Sequence, residues 1–291
     1  MTVLKVQAQT QSGAAFLRFG PDATSAALGG AVVSVADGAS AMYWNPAGLA
    51  RPIGQEALVA QQNWTGGTVT YSGAARFNAG SKAGLGALVT ATTSGEMDYR
   101  EGPGDPLGVF SAQFGSINVG YGRAFSKHLR FGAAAKLVNE RLDSYSSRGV
   151  AADAGLQGEW KDGQVRFGLA ARHFGAMNNS DSVLPRTVQG GITVFPFQIL
   201  SAGDQQILLT TRVSVEATRL VPDEETQISV GVASKIFDMV TVRGGYLSND
   251  AIRKWSFGAG MQVASLTLDV AYLPFSAGYN DGYLLTLRYW W

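Results

Sequence analysis

The stretch YLLTLRYWW, residues 283–291, decides how this chain is read. One face of it carries Tyr283, Leu285, Leu287, Tyr289 and Trp291, and the other carries Leu284, Thr286, Arg288 and Trp290. A period of two puts successive side chains on opposite faces of a β-strand. The first face is apolar from end to end and is bounded by aromatics. A strand that meets hydrocarbon on its outer face needs this layout, because Tyr and Trp concentrate at the two membrane–water interfaces.

The same alternation recurs upstream in WSFGAGMQV (255–263), VRFGLAAR (165–172) and LRFGAAAKL (129–137). The opposite faces of these strands are not the Lys, Glu, Thr and Ser surface of a soluble β-sandwich. They carry Gly, Ala and Ser with scattered charges of both signs: Arg130, Lys136, Asp153, Glu159, Arg166, Arg172, Arg212, Glu216, Asp269 and Arg288. Small residues mixed with pairable charges suit a crowded barrel interior, since buried charges demand partners.

Composition points the same way. Charged residues make up 15% of the 291-residue chain, against about a quarter in soluble domains. Mean hydropathy is +0.04, and no apolar run is long enough for a membrane-spanning helix, which needs about 18 residues or more. The net charge is +1, and no basic cluster with interleaved aromatics is present to hold nucleic acid. Cysteine is absent, which excludes disulfides, thiolate metal sites and Cys nucleophiles.

Strand-like segments fall near 55–62, 68–77, 83–95, 109–125, 129–142, 149–160, 164–175, 186–197, 206–219, 226–237, 239–248, 255–263, 266–275 and 282–291. The expected fold is all-β: an antiparallel transmembrane β-barrel of about fourteen strands, an even number as in bacterial single-chain barrels. WKDGQ (160–164), FDMV (237–240) and VASL (263–266) read as tight periplasmic turns. SGEMDYREGPGDPLG (94–108), GAMNNSDSVLP (175–185), EATRLVPDEE (216–225) and LSNDAIRK (247–254) read as longer outer loops. FPFQILSAGDQ (195–205) breaks the pattern, as a long connection on the turn side.

Ahead of the strands lies LGGAVVSVADGASAMYWNPAGLA (28–50), apolar but built of small residues. A barrel of this width encloses more space than wall side chains fill, and such a segment can fold inside as a plug, with Pro46 setting a turn and Asn45 capping it. The expected organisation is an N-terminal remnant at 1–12, a hatch at 13–54 and the barrel at 55–291. The opening residues, MTVLKVQAQTQSG, have no apolar h-region, so the start is expected to be a mature or trimmed one, its signal peptide absent or already removed.

Residues 13–50 resemble the N-terminal signature of the PorV/PorQ proteins, within the wider FadL-like outer-membrane barrels. The matches are Phe16-Leu17, Gly20-Pro21, Ala23, Gly29-Gly30-Ala31, Ala36-Asp37 and Trp44-Asn45-Pro46-Ala47-Gly48-Leu49, while Thr24 stands where the family commonly has Arg. The resemblance implies fourteen strands with an N-terminal hatch in a bacterial outer membrane. It also implies a type IX secretion component that docks to a translocon barrel and receives cargo bearing a C-terminal signal. The FadL-like alternative is transport of fatty acids or other hydrophobic small molecules, with a hydrophobic ligand or lipid in the lumen.

Gly29, Gly30, Asp37, Trp44, Asn45, Pro46, Ala47 and Gly48 are the candidate hatch residues, structural first and gating second. The inward charges form no single-sign ring, as a selective aqueous pore would, so mutual neutralisation in a plugged lumen is expected. Tyr99, Phe110, Asp223, Glu224 and Glu225 lie in loops that could meet a protein partner. No catalytic spacing, phosphate-binding loop or metal-ligand pair stands out, so neither enzyme activity nor a metal or cofactor is expected. Outer-membrane lipid is the expected surrounding.

Overall fold

The computed structural model describes residues 14–100, 102, 105–142, 145–178, 183–200, 207–250, 252–276 and 278–291. The expected N-terminal remnant, 1–12, lies outside them. The strands are β1 (Glu56–Asn63), β2 (Val69–Asn78), β3 (Ala83–Thr93), β4 (Met97–Tyr99), β5 (Gly108–Phe110), β6 (Ala112–Ala124), β7 (Leu129–Leu142), β8 (Tyr145–Trp160), β9 (Val165–Met177), β10 (Thr187–Leu200), β11 (Ile207–Leu220), β12 (Glu225–Ile236), β13 (Val240–Leu247), β14 (Trp255–Val263), β15 (Leu266–Leu273) and β16 (Gly282–Trp290). Fourteen of them close into one antiparallel barrel, and β4 and β5 form a separate hairpin. Closure is made by β1 on β16, from Glu56↔Trp290 to Asn63↔Tyr283.

The period-two faces separate as the pattern requires. On β16, Leu284 is 3% exposed and its neighbour Leu285 is 48% exposed. Outward aromatics pair at both ends of the wall. Tyr246–Trp255 (4.9 Å) and Tyr272–Tyr283 (5.4 Å) lie toward the loops; Phe125–Phe131 (5.2 Å) and Tyr289–Trp291 (5.7 Å) lie toward the turns. Two girdles flanking an apolar band are the mark of a membrane-spanning barrel. The core does not lie between two facing sheets. It lies between the inward wall and the N-terminal segment, where Leu28, Val35, Met42, Trp44 and Leu49 join Leu58, Leu88, Ala134 and Ala233.

Beyond shifts of a few residues at strand ends, two departures from the sequence expectation stand out. The segment read as one strand over 109–125 belongs to two sheets, because Met97↔Phe110 pairs within the β4–β5 hairpin and the barrel strand starts at Ala112. Residues 195–200 of FPFQILSAGDQ are strand: β10 runs to Leu200, beyond its last partner on β9, paired only to β11. Pro196 disguised it. Lacking an N–H, proline cannot donate to the ladder, and the register shifts between Val194 and Phe197.

Candidate functional site

The N-terminal segment is a succession of short turns: Ala15–Arg18, α1 (Ala23–Ala27), α2 (Ala41–Trp44) and Pro46–Ala50. None is long enough to be stable alone, so the contacts with the wall hold them. Asp22 caps α1, accepting from Ser25 N (2.9 Å) and Ser25 Oγ (2.7 Å). The same carboxylate takes Arg288 Nη2 of β16 at 3.0 Å. Ala23 N donates to Thr286 Oγ1 (2.9 Å), and Ser256 Oγ donates to Ala27 O (3.0 Å).

The motif Trp44-Asn45-Pro46-Ala47-Gly48 forms a close junction with the wall. Asn45 is wholly buried, and its side-chain oxygen accepts from Ala47 N (3.2 Å), capping the turn that Pro46 opens. Its Nδ2 donates to the carbonyls of Val33 (2.9 Å), Leu156 (3.0 Å) and Leu169 (3.2 Å). One side chain thus ties the segment to itself and to facing residues of β8 and β9. Such close approach needs wall positions without side chains: a Cβ at Gly132 would overlap Pro46, and one at Gly155 would overlap Asn45. Gly29 and Gly30 hold positive φ angles of 63° and 82°, which turn the chain after α1 against Gly245. Gly48 packs on the carbonyl of Ala36, where a Cβ has no room.

Nine of the ten charges read as inward make ion pairs, hydrogen bonds or ring contacts, and Arg212 lines a cavity beside the segment. Lys136 Nζ lies 3.0 Å from Asp153 and 2.7 Å from His173 Nδ1, and His173 N donates to the same carboxylate at 2.7 Å. Arg130 pairs with Glu159 at 3.2 Å. Glu216 accepts from Val33 N (2.8 Å) and Gln189 Nε2 (2.9 Å). Arg172 lies 4.5 Å above the Tyr43 ring and 5.1 Å from that of Trp44, and Arg166 lies over Phe195 at 4.7 Å. Asp269 is shared by Arg243 (2.8 Å) and Arg288 (3.8 Å).

Several members of this network were not singled out in the sequence: Glu56, Arg76, His173 and Arg243. Arg76 is the most consequential. It is almost fully buried and clamps the end of the segment through the carbonyls of Leu49 (3.0 Å), Arg51 (2.8 Å), Ile53 (2.7 Å) and Gly54 (2.7 Å). The alternation of VTYSGAARF puts it on the inward face with Thr70, Ser72 and Ala74, so the signal was present.

Between the segment and strands β10 to β16 lies a cavity of about 330 Å³. Val32, Val35, Trp44, Phe195 and Met239 give it an apolar side; Asp37, Arg212, Arg243 and Asp269 give it a charged one. The loop residues sit apart from it. Tyr99 and Phe110 are on the β4–β5 hairpin. Asp223 lies 3.7 Å from Arg18, Arg219 donates to the carbonyl of Glu224, and Glu225 opens β12 and accepts from Gln227 (3.1 Å).

No family model matches the chain, and no curated protein matches it. Solved structures do. The toluene transporter TbuX of Ralstonia pickettii superposes with a TM-score of 0.62 at 13% identity, over 94% of this chain and 98% of its own. The toluene transporter TodX of Pseudomonas putida gives 0.61 at 14%, over 92% and 96%. A FadL homologue of Pseudomonas aeruginosa gives 0.57 at 11%, over 92% and 97%. The shared fold is that of FadL-like outer-membrane barrels, and the outward apolar band of this chain suits a membrane-spanning wall.

Proposed function

We propose that this protein passes small hydrophobic molecules across the outer membrane, through a lumen stoppered by residues 13–54 acting as a hatch. The cavity between hatch and wall carries this reading. Its volume is within the range of small-molecule sites, and its apolar side, from Val32 to Met239, suits a hydrocarbon body. Charged groups neutralise each other around it, so it does not select ions by sign. The whole-length likeness to barrels described as toluene transporters supports the same assignment over secretion.

Cells lacking their own hydrophobic-uptake barrels and supplied with the full chain are expected to accumulate labelled toluene or a labelled fatty acid faster than cells carrying an empty vector. Ala233→Trp fills the cavity from the wall and is expected to abolish the gain while the barrel still assembles. Uptake equal to the vector control rejects the reading.

A second reading, docking of secreted proteins in a type IX-type system, rests on the β4–β5 hairpin. Its Met97, Tyr99 and Val109 side chains are exposed beyond the barrel, an apolar surface that a protein partner could cover. Recovery of a translocon barrel or signal-bearing cargo with the protein from native membranes, lost in Tyr99→Ala together with Val109→Ser, would favour it.

A further inference from the structure

On the outer face of β6 to β9 the side chains change character toward the long-loop end. Hydrogen-bonded registers set them in rows across the strands. Ile117, Leu137 and Val150 make one row; Gly115, Asn139 and Arg148 make the next; Gln113, Arg141 and Ser146 make the last. Gly115 contributes no side chain, so the wall is indented there. The indentation is a groove of about 780 Å³ with an apolar floor, closed at its upper end by Asn139, Arg148 and Asn178.

The level of this change is set by geometry. Phe131, in the lower aromatic girdle, and Arg141 stand on the same face of β7. Ten residues at about 3.4 Å each, tilted about 40°, climb about 26 Å, close to the roughly 25 Å height of a barrel's apolar band. Arg141 therefore stands at the extracellular headgroup level. Arg148 lies one row lower, within reach of that level by extending its side chain.

Both residues are exposed, and neither has an ion-pair partner among the described residues. The described outward positions of β6 to β9 hold no carboxylate to neutralise them. Diagonal neighbours on adjacent strands lie about 7–8 Å apart, so one anionic group can lie between both. Two cations at the headgroup level above an apolar groove in the hydrocarbon match an amphiphile with an anionic head and acyl chains. The planar fork of Arg favours phosphate.

We propose that this groove, with Arg141 and Arg148, binds a phosphate-bearing lipid of the extracellular leaflet, an acyl chain in the groove and the phosphate on the arginines. The assignment rests on the transmembrane placement of the barrel and is independent of what the lumen carries.

The test uses the full chain in dodecyl maltoside micelles doped with diphosphorylated lipid A, with retained lipid read by native mass spectrometry. Arg141→Gln combined with Arg148→Gln is expected to weaken binding at least tenfold. Gly115→Leu, which fills the groove and leaves both charges, is expected to do the same. All three positions face outward, and a heat-dependent shift in gel mobility verifies the barrel in each variant. A neutral diacylglycerol is expected to bind at least tenfold more weakly, and inorganic phosphate is expected not to displace the lipid. Undiminished binding by the double variant, equal retention of the neutral lipid, or displacement by phosphate would each overturn the proposal, the last by revealing a free-anion site.

Discussion

The backbone of Gly155 in β8 leaves the space that the side chain of Asn45 fills, and a methyl group at 155 would overlap Asn45 Oδ1. The two residues act as socket and peg. Their fit is what allows Asn45 Nδ2 to reach the carbonyls of Leu156 and Leu169. Gly155→Leu is expected to unseat the turn at Pro46 without disturbing the outward face. Asn45→Ala keeps the space and strands buried carbonyls, a loss of about 1–3 kcal/mol. Both variants should melt at a lower temperature in detergent, with Gly155→Leu the lower. Melting at the wild-type temperature in both would show that the junction contributes nothing to stability.

Arg76 makes the matching connection at the other end of the segment, and its geometry depends on the guanidinium. The carbonyls of Leu49, Arg51, Ile53 and Gly54 are reached from different edges of one planar fork. A lysine ammonium keeps the charge and loses that spread. Arg76→Lys is therefore expected to free the stretch near Leu49–Gly54, seen as faster protease cleavage there in intact vesicles with the periplasmic side accessible. Cleavage as slow as in wild type would show that charge alone suffices.

The Lys136–Asp153 pair is buried on both sides, with side-chain exposures of 1% and 0%. Removing one partner leaves the other uncompensated, which typically costs about 3–5 kcal/mol. Lys136→Met and Asp153→Asn should each destabilise the barrel strongly, while the double variant should cost less than the sum, with a coupling of about 0.5–3 kcal/mol. Urea unfolding in lipid vesicles measures the cycle. Strict additivity would mean that the two groups do not depend on each other.

Much of this architecture was legible because a barrel wall has only two faces. Once YLLTLRYWW is read as a lipid-facing strand, Arg288 must point inward, and the same parity places Arg130, Lys136 and Asp269. Parity fails where the backbone does. In β9 both Arg172 and His173 are buried, because His173 takes a positive φ of 63° and the register against β8 slips between Ala152 and Ala154. No period-two pattern reports such a bulge. The Pro196 irregularity hid the reach of β10 in the same manner. What the segment 28–50 touches was not legible at all, since its partners are scattered over the wall: Glu216, Gln157 and Thr193 meet it at residues 33 to 36 from three different strands.

If the N-terminal segment is the hatch proposed above, its wall contacts have a direct electrical consequence. Ion flow needs a continuous aqueous path, and on that proposal the segment interrupts it, with Leu28, Met42, Trp44 and Leu49 buried against the wall. The inward charges do not restore a path, because Arg130, Lys136 and Arg288 are each neutralised by a carboxylate. In planar bilayers of symmetric salt, the wild-type protein is therefore expected to give no large, stable conductance. Deleting residues 13–54 removes the stopper and leaves unpaired wall charges facing water, so large steps should follow, provided that gel mobility still reports a closed barrel. Asn45→Ala should fall between the two, with brief openings as the turn detaches from β8 and β9. Large steady currents from the wild type would mean that water threads the lumen past the segment, and the stopper reading would fall with that result.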